Sequence, residues 1–331
     1  MSSDRRFYNT EPTRVFRSGE FWSSGYRFIF KRHKERAPGQ ALPIVCMDGY
    51  ALEPASKNLR FAWLGHAGVL LEMNGRRLLI DPVFSERASI FQWAGPRRFQ
   101  PSPLQAGNLP AVDAVLISHD HYDHLDRATI RALVGKTTGF HVPLGVASIL
   151  EDWNIPKTKI HEYAWWDERT VHGITITAVP ARHFSGRGLF NRFGTLWCGW
   201  SVSDSSNRIY HSGDTGMTAA FREIGVMNGP FDLTFIKIGA YDRSWPDIHL
   251  DPEQAVAALA DLRGQALVPI HWGVFDLGLH SWYEPIERLV KAAGKAQARI
   301  LTPCMGELVV PGRHENTYWW RAFMPDHHDS T

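Results

Sequence analysis

The feature that most constrains this chain is a dense group of histidines and aspartates that directly follows a short apolar run. The run occupies residues 114–117, and residues 119–126 then contain three His and three Asp. Such a run is typical of a buried strand, so the fold must end a strand here and gather the polar side chains in the following loop. Imidazole and carboxylate groups without thiolates favour zinc, and iron or manganese also fits. The alternative is a solvated turn that binds nothing.

The order of the polar residues in this loop predicts which of them bind the same metal ion. His119 and His121 alternate, so they are placed to converge on one ion, while Asp123 and His124 face a neighbouring one. Further candidates share one placement, just past a predicted strand, and they are His183, Asp214 and His271. Residues at strand ends meet at one edge of an open α/β sheet, so we expect all of these side chains to converge. Taken singly, each would more often be an ordinary surface or core residue.

The remaining pattern predicts a mixed α/β domain. Short apolar runs separated by turn residues predict strands at 59–64, 69–73, 77–80, 114–118, 175–179, 196–202, 208–211, 233–238 and 266–270. Helices are predicted at 127–134, 145–153, 218–224, 252–262 and 285–293. The fourth helix has a clear start, with Asp251 as its N-cap and Pro252 at its first position. We predict one compact domain over residues 58–312, an N-terminal arm over 1–57 and a tail over 313–331.

Composition narrows the class of partner and compartment. The formal charge of +2 gives no case for nucleic acid as a partner. No run approaches the roughly 20 apolar residues of a transmembrane helix, and no secretory signal is recognisable, so a cytoplasmic location is the default. The three cysteines are far apart in sequence and predict neither disulfides nor a thiolate zinc site. A homodimer is compatible with the sequence.

Residues 1–40 are both basic and aromatic. They hold nine Lys or Arg against four Asp or Glu, with eight Phe, Tyr or Trp among them. That mixture suits contact with a membrane surface. The plainer interpretation is an arm packed on the main domain.

The motif His119-x-His121-x-Asp123-His124, taken with the three downstream candidates, resembles the metal-binding pattern of the metallo-β-lactamase superfamily. The resemblance implies an α/β fold in which two mixed β-sheets, flanked by helices, form an αβ/βα sandwich. It also implies two zinc ions. The first would be bound by His119, His121 and His183. The second would be bound by Asp123, His124 and His271, and Asp214 would bridge the two.

Further segments are similar to one branch of that superfamily, the phospholipases D that hydrolyse N-acylphosphatidylethanolamine. The most specific are Gly239-Ala240-Tyr241 and His249-x-Asp251-Pro252-Glu253. Other matching segments are residues 63–67, 81–85, 95–99, 213–216 and 270–273.

This second resemblance implies a phosphodiesterase that releases N-acylethanolamine and phosphatidic acid from a phospholipid, with hydroxide held by the metals as nucleophile. Asp123 and Asp214 would set the coordination and orient the hydroxide. His249 would contact the phosphate or protonate the leaving group, or merely flank the helix after it. His66 and Asp81 would support the ligands by hydrogen bonds, or be structural.

Other functions remain open at this point. A lactonase or carboxylic-ester hydrolase would use a similar metal pair. A nuclease is less favoured, because the additional segments of the superfamily's nucleases are not visible. A non-catalytic protein that keeps the metals for structure or sensing is the alternative from another class.

Overall fold

The structure, a computed structural model, describes residues 6–15, 35–47, 50, 53–188 and 191–325. Within these ranges two β-sheets pack face to face. The first sheet contains, in spatial order, β13 (Leu308–Val309), β1 (Arg60–Gly65), β2 (Gly68–Met73), β3 (Arg76–Ile80), β4 (Ala114–Leu116), β5 (Phe140–Pro143) and β6 (Ile160–Tyr163). The second contains β12 (Leu267–Ile270), β11 (Leu233–Lys237), β10 (Arg208–His211), β9 (Gly199–Ser203), β8 (Ile174–Val179) and β7 (Glu168–Val171).

Both sheets are mixed. In the first, β3 to β6 pair in parallel and the other neighbours are antiparallel. In the second, β10, β11 and β12 are parallel and the rest antiparallel. The helices are α1 (Arg127–Leu133), α2 (Val146–Asp152), α3 (Ala220–Met227), α4 (Pro252–Asp261) and α5 (Glu284–Ala296). The predicted sandwich of two mixed sheets with flanking helices is confirmed.

Strand β1 shows how the layers form. Alternate side chains of a strand point to opposite faces of its sheet. Phe61 belongs to the core between the sheets, where its ring meets Phe235 of β11 edge to face at 5.1 Å. Leu64 belongs to a second buried cluster that includes Ile130 of α1. Both faces are therefore buried, which explains why β1 and β2 are apolar almost throughout.

The predicted elements are present, with two instructive differences. The predicted strand at 196–202 begins only at Gly199 in β9, because Leu196 and Cys198 donate to carbonyls of Leu144 and Ser118 in the other half of the sandwich. Strands β5, β6, β7 and β13 were missed. They are short or polar, and β7 is an exposed edge strand without an apolar face.

The described part of the N-terminal arm packs on the domain. Asn9 exchanges two hydrogen bonds with the backbone of His183, at 2.8 and 3.0 Å. Glu11 accepts from the Ala219 amide at 2.9 Å, at the start of α3. Most of the predicted membrane-contact segment 1–40 lies outside the described residues. Among the described residues, no helix is long and apolar enough to span a bilayer.

One buried ionic network ties the segment around residue 50 to the first sheet. Glu72 of β2 is fully buried, and it accepts hydrogen bonds from the Tyr50 hydroxyl, the guanidinium groups of Arg60 and Arg77, and the Ser56 amide at 2.9 Å. Burial alone would raise the pKa of this carboxyl, but these hydrogen bonds outweigh it and lower the pKa. The Glu72 side chain is thus a charged part of the core.

Candidate metal centre

Several candidate residues leave their strands through a strained backbone. His66, Asp81 and His271 directly follow β1, β3 and β12, and their φ angles are 54°, 43° and 65°. This left-handed conformation costs a residue with a side chain roughly 1–2 kcal/mol. It persists only where the surrounding structure fixes it, often at functional sites. Here it redirects three polar side chains at one edge of the sandwich.

Three imidazoles form the first group. The Nδ1 atom of His121 lies 2.9 Å from Nε2 of His119 and 3.3 Å from Nε2 of His183. The three donor atoms all lie within 4.8 Å of one another. The loop after β4 and the loop after β8 therefore supply one compact set of nitrogen donors.

Two imidazoles and two carboxylates form the second group. Asp123 Oδ2 lies 3.6 Å from Nε2 of His124 and 3.4 Å from Nε2 of His271. Asp214 Oδ1 lies 3.5 and 3.1 Å from the same two nitrogens, and its Oδ2 lies 3.8 Å from His183 Nε2. Asp214 thus stands between the two groups, with one oxygen toward each.

Hydrogen bonds hold three of the imidazoles by the ring nitrogen that points away from the cluster. His124 Nδ1 lies 2.8 Å from Asp81 Oδ2, and His119 Nδ1 lies 2.9 Å from the hydroxyl of Ser118, which itself donates to Asp81. His183 Nδ1 lies 3.0 Å from the Ile248 carbonyl. Such partners orient metal-binding histidines in known sites. They leave Nε2 of each ring facing the cluster.

His66 contacts the cluster from one side. Its Nε2 lies 2.8 Å from Asp123 Oδ2, and its carbonyl accepts the backbone amide of His271 at 2.8 Å. His66, Asp123, His124 and His271 each offer one donor atom within a common 4.8 Å. The structure therefore places His66 in contact with Asp123 and His271, and Asp81 in contact with His124.

Some donor atoms in this cluster are buried without a hydrogen-bond partner in the described structure. They are His124 Nε2, His271 Nε2 and Asp214 Oδ1. The last two are 3.1 Å apart, yet their geometry is not that of a hydrogen bond. Buried polar atoms nearly always have a hydrogen-bond partner. Two imidazole nitrogens and a carboxylate oxygen that lie close together without one are the arrangement expected of a cation site.

The electrostatics of the cluster keep its carboxylates ionised. Burial by itself would raise the pKa of Asp214, but His271, Lys237 and His124 outweigh it and hold the pKa well below its usual range. The same balance, led by His124, lowers the pKa of Asp123. For His119, burial and then its imidazole neighbours lower the pKa well below the usual value, which favours the neutral ring that a metal requires.

Lys237 is a member of this site that the sequence did not reveal. It is the last residue of β11 and is fully buried, and its Nζ lies 3.6 Å from Asp214 Oδ1 and contacts Nδ1 of His249. Burial, partly offset by Asp214 and Asp123, lowers its pKa to about 8. A lysine that ends an apolar strand usually reaches solvent, so this position carried no signal. Asn9, which holds the His183 backbone, was missed because it is so distant in sequence.

A cleft of about 200 Å³ opens onto the cluster. Its polar side is lined by His121, Asp123, Asp214, His249 and His271. Its apolar wall consists of Phe184, Ala240, Trp245, Ile248 and Leu277. His249 faces this cleft with its Nε2 3.9 Å from Asp214 Oδ2. A larger cavity of about 660 Å³ touches none of the candidate ligands.

Comparison with known proteins gives a consistent picture. Residues 76–272 match the sequence model of a family described as a beta-lactamase superfamily domain. An uncharacterized protein of Mycobacterium tuberculosis is 43% identical over 329 residues, which cover 96% of this chain and 86% of that protein. The N-acyl-phosphatidylethanolamine-hydrolyzing phospholipase D 1 of Caenorhabditis elegans is 37% identical over 240 residues, which cover 69% of this chain and 67% of the worm enzyme.

The fold has relatives among solved structures. A metallo hydrolase of the archaeon Ignicoccus hospitalis superposes with a TM-score of 0.58 at 20% identity, covering 76% of this chain and 97% of that one. At that identity the likeness concerns the fold alone.

Proposed function

The chain belongs to the metallo-β-lactamase superfamily, in the branch of the N-acylphosphatidylethanolamine-hydrolysing phospholipases D, and from this premise we propose that it is a phosphodiesterase acting on such lipids. It is a metal-dependent hydrolase of this superfamily. The observation that carries the proposal is the cleft, whose lining combines the candidate metal cluster with an apolar wall. A phospholipid offers an anionic phosphodiester for the first and acyl chains for the second.

The residues present fit a pair of metal ions. In this proposal His119, His121 and His183 hold the first ion, and Asp123, His124 and His271 hold the second. Asp214 serves both. The support is the grouping of donor atoms within 4.8 Å and the orphaned buried atoms of three of these residues. Nitrogen and carboxylate donors suit zinc, iron or manganese.

When bound, such a metal pair activates water as a nucleophile and neutralises charge that develops on the phosphate oxygens. The chain's own residues define the geometry. Asp123 is fixed by its 2.8 Å contact with His66, and Asp214 by its position between His183 and His271. Because both carboxylates are ionised and held, they can orient a water molecule toward the phosphorus of a substrate in the cleft.

His249 is the residue that we assign to the leaving group. Its ring lies on the cleft wall, and its Nε2 is directed toward the cluster at 3.9 Å from Asp214 Oδ2. From there its Nε2–H can donate a hydrogen bond to a phosphate oxygen or to the departing N-acylethanolamine oxygen. Hydrolysis of the bond between phosphorus and that oxygen leaves phosphatidic acid as the other product.

The apolar wall would bind the lipid rather than the phosphate. Phe184 and Trp245 contribute the largest side chains, and Ile248 and Leu277 add aliphatic surface. Small polar esters gain little from such a wall, whereas each methylene group buried against it contributes about 0.8 kcal/mol. The wall therefore favours an acylated substrate.

A panel of substrates tests the proposal. Zinc-loaded protein is assayed with N-acylphosphatidylethanolamine in detergent micelles, with bis(p-nitrophenyl) phosphate and with simple lactones. We expect hydrolysis of both phosphodiesters, and a loss of at least about 100-fold in Asp214→Asn. His161→Ala, a half-buried histidine on β6 away from the cluster, is the matched control and should retain activity. Turnover of lactones alone would replace the proposal with the lactonase alternative.

A further inference from the structure

A loop over residues 86–97, called the docking loop below, exposes three large apolar side chains. Ile90, Phe91 and Trp93 are 65%, 50% and 78% exposed. The rings of Phe91 and Trp93 are 5.2 Å apart, so they form one patch. Exposed apolar side chains are ordinary when scattered, but a cluster of aromatic tips marks an interaction surface.

The docking loop is held in this exposed form by its own hydrogen bonds. Its two ends pair through the Ala88 amide with the Pro96 carbonyl at 3.1 Å and the Arg98 amide with the Glu86 carbonyl at 2.8 Å. Across the loop, the Arg87 guanidinium donates to the Gln92 carbonyl at 3.1 Å. The apolar tips therefore project from a closed loop.

The docking loop lies at the same edge of the sandwich as the candidate metal centre. Just beyond its end, Phe99 donates to the Val274 carbonyl at 2.8 Å, and Gln100 donates to the Gly273 carbonyl at 3.1 Å, both in the segment after His271. A cavity of about 490 Å³ is lined by Ile90 of the docking loop and by Tyr122 of the loop that follows β4.

The charge around the patch is positive. The lining of that cavity contains Arg127, Arg131 and Arg187, and its one acidic residue is Asp126, whose carboxylate caps α1. On the loop itself, Arg97 lies 3.5 Å from the carboxylate of Glu86, which is the loop's one acidic residue, and Arg87 adds a second positive charge. Exposed aromatic tips near several arginines are complementary to an anionic lipid surface, where rings enter the headgroup region and exposed arginines add attraction.

We propose that the docking loop seats the protein on anionic phospholipid bilayers by inserting Phe91 and Trp93 into the headgroup region. This assignment differs from the arm at residues 1–40, and it rests on the proposed lipid substrate only for its purpose. Docking here would present the cleft edge of the domain to the membrane, so that a lipid reaches the metal centre without crossing bulk water.

Vesicle co-sedimentation of the full chain tests the docking loop. The vesicles contain phosphatidylcholine with or without phosphatidylglycerol and no N-acylated lipid, so that binding is separated from turnover. The variant is Phe91→Ser with Trp93→Ser. The matched control is Val226→Ser with Met227→Ser, an exposed apolar pair on α3. The next residue, Asn228, accepts a hydrogen bond from Arg208 at the start of β10, the end that is remote from Asp214.

We expect wild-type protein to prefer the anionic vesicles, and the loop variant to bind at least tenfold more weakly. The control pair should bind like wild type, and all proteins should hydrolyse bis(p-nitrophenyl) phosphate equally. Wild-type binding by the loop variant would overturn the proposal. So would conversion of a dimer to a monomer in sedimentation velocity without loss of vesicle binding, since the patch would then be a contact between two copies.

A second observation, independent of the first, concerns Lys237 and His249. Lys237 Nζ contacts Nδ1 of His249 inside the protein. An ammonium group has only hydrogens to offer, so the imidazole nitrogen it meets must accept. A neutral imidazole that accepts at Nδ1 carries its proton at Nε2, the atom that faces the cleft.

We infer that Lys237 is a positioning residue that locks His249 in the Nε2–H tautomer. One consequence is that His249 cannot serve as a metal ligand through Nε2, although that atom lies within reach of His183 and Asp214. A second consequence is that His249 presents the hydrogen on its Nε2 to the cleft. The inference rests on the proposed function only for the identity of the group that receives this hydrogen.

Nuclear magnetic resonance of protein labelled with ¹⁵N-histidine reads the tautomer directly, with His249 assigned by comparison with His249→Gln. We expect an unprotonated Nδ1 and a protonated Nε2 in wild type, unchanged when zinc is added. Lys237→Met, which removes the donor at similar volume, should shift the signals toward the other tautomer. A protonated Nδ1 in wild type, or a zinc-induced shift of Nε2, would overturn the inference even if the variant did not fold.

Discussion

Gly239→Ala is the substitution whose effect follows most directly from the geometry of the site. A Cβ atom built on Gly239 would lie 2.1 Å from the carbonyl oxygen of His271, whereas real Cβ contacts essentially never fall below 3.0 Å. The two segments must therefore separate by close to 1 Å. Because the obstructing atom is the backbone of a candidate ligand, the movement carries His271 away from Asp123 and Asp214.

A displacement of about 1 Å at a catalytic group can cost about 100-fold in rate. That factor corresponds to about 2.7 kcal/mol of transition-state stabilisation. Overpacking of this kind also costs about 1–3 kcal/mol of folding free energy. We therefore expect Gly239→Ala to lower kcat/KM about 100-fold and to weaken metal binding, with a modest fall in Tm.

The matched control is Gly294→Ala on the exposed side of α5. No described atom lies within 4 Å of a Cβ built there. Alanine should stabilise that helix by about 0.5–1 kcal/mol and leave activity unchanged. Metal content by elemental analysis, kcat/KM and Tm are measured on both variants. If Gly239→Ala kept wild-type metal content and activity, the argument that this close approach fixes His271 would be refuted.

The remaining predictions concern the framework. Glu72→Gln leaves the buried Arg77 without its counter-charge and should lower the free energy of unfolding by about 3–5 kcal/mol, measured in urea, whereas Glu151→Gln at a surface pair should change it by less than about 0.5 kcal/mol. Burial, with smaller effects of nearby positive charges, lowers the pKa of His141 to about 3, so the unfolded chain binds a proton there first as pH falls. The contribution of neutral His141 to the free energy of unfolding is therefore complete above about pH 6.5. It declines as the pH falls toward 3, and the loss at pH 5 is about 2 kcal/mol. His141→Gln, which removes the ring held by Tyr163, should flatten this decline, and an unchanged pH dependence would contradict the assignment.

The strand-end placement of the site could be predicted because it depends on local patterns. An apolar run followed by polar residues shows where a strand ends, and parallel strands end at a common edge. This reasoning placed His183, Asp214 and His271 beside the loop that follows β4, although each lies far away in sequence. Their roles as ligands are part of the proposed function.

Other parts of the site depend on packing that leaves no local pattern. The direction of a side chain at the end of a strand is set by the neighbouring layers. The sequence around Lys237 therefore does not show that its side chain points into the protein. Asn9 reaches His183 only because the arm folds back over the domain. The edge strand β7 was missed for a related reason, since an exposed strand needs no apolar alternation.

Metal binding by the cluster and hydrolysis of an N-acylated phospholipid can be measured together. Zinc is titrated into metal-free protein, and N-acylethanolamine released from N-acylphosphatidylethanolamine is quantified by mass spectrometry. We expect release to rise with added zinc and to saturate at about two ions per chain, and Asp214→Asn to release almost none. Zinc that binds without any release of N-acylethanolamine, or release that is independent of zinc, would contradict the proposed function.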